Sequence, residues 1–136
     1  MKLGNVFCIG RNYRLHAAEL GNDVPDRPLL FLKPTHALTD MDNGTLILPG
    51  NRGQIHYEAE LVVRIGRAYD PAADADELID RLTVGIDFTL RDVQEQLKRR
   101  GWPWLEAKGF RHSAPIGRWV DYLGRPALPR LDFLFE

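Results

Sequence analysis

The stretch IHYEAELVVRI, residues 55–65, carries the strongest strand pattern in the chain. In a strand, side chains alternate between two faces. One face of this segment therefore carries Tyr57, Ala59, Leu61 and Val63, and the other carries Glu58, Glu60, Val62 and Arg64. Aromatic and β-branched residues are typical of such pleated surfaces. The segment predicts a long strand that organises a β-rich fold.

Shorter patterns surround this segment. Compact apolar runs closed by Gly or Pro predict strands, at residues 5–9, 29–32, 45–48, 82–90 and 116–120, of which the first two are expected to be buried. Capping and stop signals predict helices, at residues 12–20, 74–81 and 91–100. The alternating stretch 131–136 predicts one more strand. These elements indicate an α+β fold, mainly β with short helices, in a single domain over residues 1–136.

Composition excludes several classes of protein. The chain has 18 basic and 19 acidic residues and a net charge of −1, which gives no reason to expect nucleic acid or an anionic membrane as partner. No apolar run approaches the ~20 residues of a membrane span. The single cysteine, Cys8, has no disulfide partner and is expected to be a buried thiol on a strand. We expect a soluble, cytoplasmic protein.

Two carboxylates fall on one face of the long strand. Glu58 and Glu60 are two residues apart, which places them about 7 Å from each other along the strand. They could lie on a solvent-facing surface, or they could face inward and share a cation that offsets their repulsion. Asp87 favours the second arrangement, because it interrupts an otherwise apolar strand pattern and needs a partner there. Three carboxylates without Cys ligands or a His pair suit Mg²⁺ or Mn²⁺.

Other polar residues are weaker candidates. His16 and Glu19 are spaced i, i+3 on a predicted helix, so the carboxylate could orient the imidazole as a general base. Such pairs are also common on exposed helices. Lys108 could balance developing negative charge, or it could be an ordinary loop lysine. Arg11 and Lys33 each follow a predicted strand, where binding residues and surface residues are equally plausible.

Six segments, taken in order, resemble the fumarylacetoacetate hydrolase family, and its small acylpyruvate hydrolase and oxaloacetate decarboxylase members in particular. They are Cys8-Ile9-Gly10-Arg11-Asn12-Tyr13, His16-Ala17-Ala18-Glu19, Phe31-Leu32-Lys33-Pro34, His56-Tyr57-Glu58-Ala59-Glu60-Leu61, Asp87-Phe88-Thr89-Leu90-Arg91-Asp92-Val93-Gln94 and Ala107-Lys108-Gly109-Phe110. The resemblance implies a mixed β-roll. It also implies that the family domain continues beyond this chain, so that the roll is incomplete at the C-terminus.

The resemblance implies a role for each matching position. Glu58, Glu60 and Asp87 match metal ligands. His16 and Glu19 match the pair that activates water, and Lys108 matches the lysine that stabilises an enolate. Arg91 and Gln94 match positions near the substrate, and Arg11 and Lys33, within matching segments, are further candidates for substrate binding. The resemblance also implies a homodimer.

The implied reaction is the metal-dependent hydrolysis of a C–C bond in an acylpyruvate-type 2,4-diketo acid, which releases a pyruvate enolate. The same enolate would appear in oxaloacetate decarboxylation or in the isomerisation of hydroxymuconate-type diacids. A contrasting hypothesis is a non-catalytic remnant that binds metal or ligand without turnover. Turnover of acylpyruvates by the purified chain would separate these alternatives.

Overall fold

The computed structural model describes residues 4–12, 26–42 and 45–132. These residues form two sheets joined by short helices, which confirms the predicted α+β, mainly β, class. The strands are β1 (Val6–Gly10), β2 (Leu29–Lys33), β3 (Leu38–Asp40), β4 (Ile55–Ile65), β5 (Ile79–Leu90), β6 (Ala114–Ile116) and β7 (Val120–Asp121). The α-helices are α1 (Ala75–Leu78), α2 (Arg91–Arg100) and α3 (Leu105–Lys108), and 3₁₀ turns span Thr35–Ala37 and Arg125–Arg130.

The larger sheet is built on a long antiparallel pair. Strands β4 and β5 pair along their whole length, and Glu58 lies directly opposite Asp87. The order continues from β5 to β6 and β3, while β7 pairs with the beginning of β5. Strands β1 and β2 form a separate antiparallel ribbon. The long predicted strand at 55–65 is confirmed.

Helix α2 follows β5 without a loop, as the sequence predicted. It ends at Gly101, whose φ of 67° is the left-handed conformation that a helix terminus favours in glycine. Asp92 in its first turn accepts a hydrogen bond from the backbone of Gln54 at 2.8 Å. A second hydrogen bond joins the same two segments, from Arg91 N to Gln54 O at 2.9 Å. Together the two bonds hold the start of β4 against the start of α2.

Several predictions at element boundaries were wrong. Residues 45–48 form no strand. The predicted helix at 74–81 is only the four-residue α1, because Asp74 caps it and the β-branched Ile79 already starts β5. The predicted strand at 116–120 is divided between β6 and β7. Most of the predicted helix at 12–20 and most of the predicted strand at 131–136 lie outside the described residues; Asn12, Leu131 and Asp132 have no regular structure.

The buried interior lies between the larger sheet, α3 and β2. Among the described residues, the buried apolar side chains are few, and half of them are alanines: Ala37, Ala107, Ala114, Leu82, Leu90 and Leu97, besides the fully buried Pro115. Strands β1 and β2 both depart from the prediction of buried strands, since Phe7 and Ile9 on one, and Leu30 and Leu32 on the other, face outward and are exposed. None of the helices in the described ranges is long and apolar enough to cross a membrane.

Candidate active site

The centre of the site is Asp87, which β5 carries on the same face as its cross-strand neighbour Glu58. Asp87 is only 7% exposed. Its two carboxylate oxygens lie between two lysines: Oδ1 is 2.8 Å from Lys33 Nζ, and Oδ2 is 2.5 Å from Lys108 Nζ. A buried carboxylate needs such partners, because an unpaired charge in the interior costs several kcal/mol. The apolar pattern interrupted by Asp87 is thus explained by two ammonium groups.

Lys33 is the most buried charged residue of this group, at 2% exposure. Its ammonium donates to three backbone carbonyls, those of Lys108 at 2.7 Å, Ser113 at 2.8 Å and Phe88 at 3.1 Å. An ammonium has three hydrogens, so its contact with Asp87 Oδ1 is ionic, and that oxygen accepts no hydrogen bond from the described residues. Burial lowers the pKa of Lys33, and the charge of Asp87 opposes this shift.

Lys108 connects Asp87 to Glu58. It is 4% exposed, and Nζ donates to Glu58 Oε2 at 3.2 Å as well as to Asp87. The ring of Phe31 lies beneath the ammonium, with its centroid 4.9 Å away. Helix α3 delivers the side chain, and Ser113 Oγ donates to the Lys108 carbonyl at 2.7 Å. The result is an ammonium held in a fixed position, as stabilisation of a developing anion requires.

A guanidinium borders the same carboxylates. Arg91 begins α2, and its Nη2 lies 3.9 Å from Glu58 Oε1. Its Nε donates to His56 Nδ1 at 3.1 Å, and its Nη1 donates to Gln94 Oε1 at 2.8 Å. Gln94 is buried. These contacts bring two of the predicted substrate-binding residues together beside Glu58.

Glu60 lies one step further along the inward face of β4, opposite Gly85. Within residues 4–12, 26–42 and 45–132, no three His, Cys, Asp or Glu side chains are grouped closely enough to hold a metal ion. The ammonium of Lys108 instead balances Glu58 and Asp87. The donor chemistry nevertheless suits a hard cation, because all three side chains offer carboxylate oxygens.

The remaining predicted residues are placed as follows. His16 and Glu19 lie outside the described residues, so their pairing stays a prediction. Arg11 directly follows β1 in a left-handed conformation, with φ of 57°. Lys33 directs all three ammonium hydrogens at backbone carbonyls, which leaves none for a substrate; its geometry is that of a residue that positions Asp87.

Sequence reasoning missed several neighbours of this centre. No role was predicted for His56, yet its Nδ1 accepts a hydrogen bond from Arg91 Nε. Its spacing of two residues from Glu58, which places both side chains on one face of the strand, was the available signal. Cys8 is half-buried on the ribbon, and burial, with the nearby charge of Asp87 next in size, raises its pKa to about 11. Ser113 and Trp104 gave no comparable pattern.

Comparison with known proteins identifies the family. A model described as the fumarylacetoacetate hydrolase C-terminal domain matches residues 5–131. The chain belongs to the fumarylacetoacetate hydrolase family. The residues that form the centre, from Lys33 to Lys108, all fall within this match.

The relatives share about two-fifths of their aligned residues with the chain. It is 38% identical to the oxaloacetate tautomerase YcgM of Escherichia coli, over 91% of this chain and 58% of that protein. The crystal structure of fumarylpyruvate hydrolase from Pseudomonas aeruginosa with Mn²⁺ and pyruvate matches at 39% identity and a TM-score of 0.79, over 88% of this chain and 54% of that one.

A third relative carries another activity. The 5-carboxymethyl-2-hydroxymuconate delta-isomerase from Mycobacterium smegmatis matches at 37% identity and a TM-score of 0.70, over 90% of this chain and 48% of that one. The chain thus spans about half the length of the curated relatives it matches. Family members named by these comparisons are enzymes, with hydrolase, tautomerase and isomerase activities.

Proposed function

We propose that this chain carries the active site of a metal-dependent enzyme that cleaves the C–C bond of acylpyruvate-type 2,4-diketo acids. The observation that carries the proposal is the buried ammonium of Lys108, held 2.5 Å from Asp87 and 3.2 Å from Glu58. A fixed cation beside two carboxylates suits a reaction in which a small anion gains charge on an oxygen. The pyruvate enolate released by this cleavage is such an anion.

We propose Glu58, Glu60 and Asp87 as the ligands of one Mg²⁺ or Mn²⁺, although their side chains are not grouped at coordinating distance in this structure and would have to turn toward a shared cation. The pairing register, which places Glu58 opposite Asp87 with Glu60 two residues further along the same face of β4, supports this assignment. The related fumarylpyruvate hydrolase, solved with Mn²⁺ and pyruvate, supports a divalent cation in the family. When bound, the cation would act as a Lewis acid and as a template for the keto acid.

Side chains of the protein would bind the substrate, activate the water and stabilise the enolate. Arg91, Gln94 and Arg11 are proposed to bind and orient the anionic substrate. His16, oriented by Glu19, would take a proton from the water that attacks the distal carbonyl. The C–C bond then breaks, and its electron pair moves into the pyruvate fragment as an enolate. Lys108 would donate a hydrogen bond to that enolate oxygen.

Oxaloacetate tautomerisation is the second candidate, and the names of the curated relatives favour it. Relatives of 36–42% identity from Escherichia coli, fission yeast, Arabidopsis thaliana and rat are oxaloacetate tautomerases. Moving a proton about the enol of oxaloacetate would use the same enolate stabilisation by Lys108 without an attacking water. Oxaloacetate decarboxylation and isomerisation of hydroxymuconate-type diacids fit the same reasoning.

The test is turnover by the purified chain with Mg²⁺ or Mn²⁺, on acetylpyruvate, fumarylpyruvate and oxaloacetate. Replacing His16 by Ala should lower acylpyruvate hydrolysis by about 10²–10⁴-fold, the usual contribution of a general base. Oxaloacetate decarboxylation should fall less, since it needs no activated water. Equal losses would assign His16 to substrate positioning or to the fold. Turnover of oxaloacetate alone would select the second candidate.

A separate binding measurement tests the metal. Calorimetric titration with Mn²⁺ should show one site, which Glu60→Gln weakens and His16→Ala leaves unchanged. Binding of Mn²⁺ and keto acid without any turnover would support a non-catalytic binding protein. We also propose a homodimer, which a solution mass of twice the chain would support and a monomer mass would contradict.

A further inference from the structure

Helix α3, which delivers Lys108, is too short to fix its own position. It has four residues, and helices of fewer than about 12 residues are only marginally stable in water. Its N-cap, Trp104, makes no side-chain hydrogen bond to the first turn. The C-terminal end is anchored, because the Lys108 carbonyl accepts hydrogen bonds from Lys33 Nζ and Ser113 Oγ, both at 2.7 Å. The N-terminal end therefore depends on contacts with other segments.

An ion pair reaches the first turn of α3 from the loop before β4. Arg52 Nη2 donates a hydrogen bond to Glu106 Oε1. Glu106 precedes Lys108 by two residues, and two residues turn an α-helix by about 200°. The two side chains therefore lie on opposite sides of α3, Glu106 57% exposed and Lys108 buried. A displacement of Glu106 moves Lys108 with it, since both belong to the same helical turn.

The loop that carries Arg52 is itself fixed to the start of α2. Gln54 N donates to Asp92 Oδ2 at 2.8 Å, and Arg91 N donates to Gln54 O at 2.9 Å. Gly53 lies directly against the same carboxylate, because a Cβ added there would overlap Asp92 Oδ2. Its φ of 82° is the left-handed backbone that favours glycine. Arg52 is therefore presented to α3 from a fixed backbone.

We propose that Arg52 is a positioning residue, which through Glu106 holds the Lys108 ammonium beside the carboxylates of the centre. Its consequence for catalysis rests on the proposed function, because it assumes that Lys108 stabilises the enolate. That enolate develops only during cleavage of the C–C bond. A displaced ammonium should therefore lower kcat and leave KM unchanged.

Hydrogen exchange tests the position of α3 without any turnover. The backbone amide of Lys108 donates to Trp104 O at 3.0 Å, within the turn that Arg52 holds. Arg52→Gln should speed the exchange of this amide about two- to five-fold, the usual effect of an exposed ion pair. The amide of Phe88, which is hydrogen-bonded outside α3, should exchange at its original rate. An unchanged rate at Lys108 overturns the proposal.

The matched control is Arg118→Gln, which removes the same charge from an exposed arginine paired with Asp42 at 3.7 Å. It should leave the exchange of the Lys108 amide as it is in the unaltered chain. In a chain that already carries Glu106→Gln, Arg52→Gln should cause no further change, because its partner is gone. Equal effects of Arg52→Gln and Arg118→Gln, or a full effect of Arg52→Gln in the absence of Glu106, would overturn the proposal.

The catalytic consequence is measured with Mn²⁺ and an acid that the unaltered chain turns over. Arg52→Gln should lower kcat about two- to five-fold at an unchanged KM, and Arg118→Gln should change neither. Faster exchange with an unchanged kcat would overturn the role of Arg52 in the reaction. If the unaltered chain turns over none of the acids, the proposed function fails, and the exchange of the Lys108 amide alone decides whether Arg52 holds α3.

Discussion

The two faces of β4 border very different environments. The inward face carries Glu58 and Glu60 toward the centre, whereas the outward face carries apolar residues into solvent, with Tyr57 65% exposed. The β1–β2 ribbon repeats this arrangement, because Phe7 is 67% exposed while Lys33 is buried. Polarity and burial are thus reversed relative to an ordinary two-sided sheet.

This reversal separates two physical tasks. The centre holds charges in fixed positions, and its ammonium and carboxylate groups must be partnered to be buried at all. The outward face of the ribbon holds Phe7 opposite Leu32 and Ile9 opposite Leu30, and the outward face of β4 holds Tyr57 and Leu61, all of them exposed. Contiguous exposed apolar residues are typical of surfaces that contact other protein. The fold therefore depends on its polar centre more than on a large apolar core.

The largest expected effect comes from removing the central carboxylate. Asp87→Asn leaves two buried ammonium groups without their shared counter-charge, so the free energy of unfolding should fall by about 3–5 kcal/mol. Urea titration of both proteins measures this difference. A domain of ordinary stability would lose a large part of its total.

The matched control for that variant is Asp121→Asn. Asp121 is likewise in an ion pair, with Arg81 at 3.6 Å, but its side chain is exposed. The control should change the free energy of unfolding by less than about 0.5 kcal/mol. Equal effects of the two variants would show that the centre contributes no more than a surface ion pair.

An effect of intermediate size is expected on the rate at which the thiol of Cys8 is alkylated. Because the pKa of Cys8 is about 11 rather than 9.0, its thiolate fraction near pH 8 should be about 100-fold lower than that of a free thiol. Alkylation by iodoacetamide should be slower by the same factor. A rate equal to that of a free thiol would show that Cys8 is not desolvated.

The same shift affects stability as a function of pH. The folded state holds the thiol proton more tightly than the unfolded state, so this stabilisation is present below about pH 9 and is lost as the pH rises toward 11. Comparison with Cys8→Ser across this range, by urea titration, isolates the contribution.

The smallest effect is expected on the outward face. Phe7→Thr and Leu30→Thr each keep a residue suited to strands and remove apolar surface that is mostly in contact with solvent, so unfolding should change by less than about 0.5 kcal/mol. Leu90→Ala, in the buried interior, should cost about 2–5 kcal/mol. Light scattering should show less self-association for the two threonine variants. Losses comparable to that of Leu90→Ala would contradict the comparison.

Strand periodicity predicted the parts of the fold that depend on local pattern. The alternation at 55–65 and the polar run with a terminal glycine at 91–101 were placed correctly, because side-chain period and capping are local properties. The position of Glu58 opposite Asp87 is set by pairing register, which a single strand does not encode. Asp87 inside an apolar run was the one local sign that the inward face is the polar one.

Other features depend on contacts between distant segments. The role of Lys33 rests on carbonyls from residues 88, 108 and 113, which no motif around residue 33 indicates. The apolar character of Phe7 wrongly predicted burial, because burial depends on contacts with other segments that the local sequence does not specify. Residues 45–48 have strand-like composition but find no partner in the described sheets.

The three carbonyl contacts of Lys33 also have a consequence for the time at which the site forms. They join residues separated by 55, 75 and 80 positions along the chain. Contacts of such long range are slow to form, because the intervening loop must first be closed. During synthesis, β1 and β2 emerge early, but the ammonium of Lys33 has no acceptors until Ser113 has left the ribosome. The charged centre should therefore assemble late, after the β4–β5 hairpin is available to receive it.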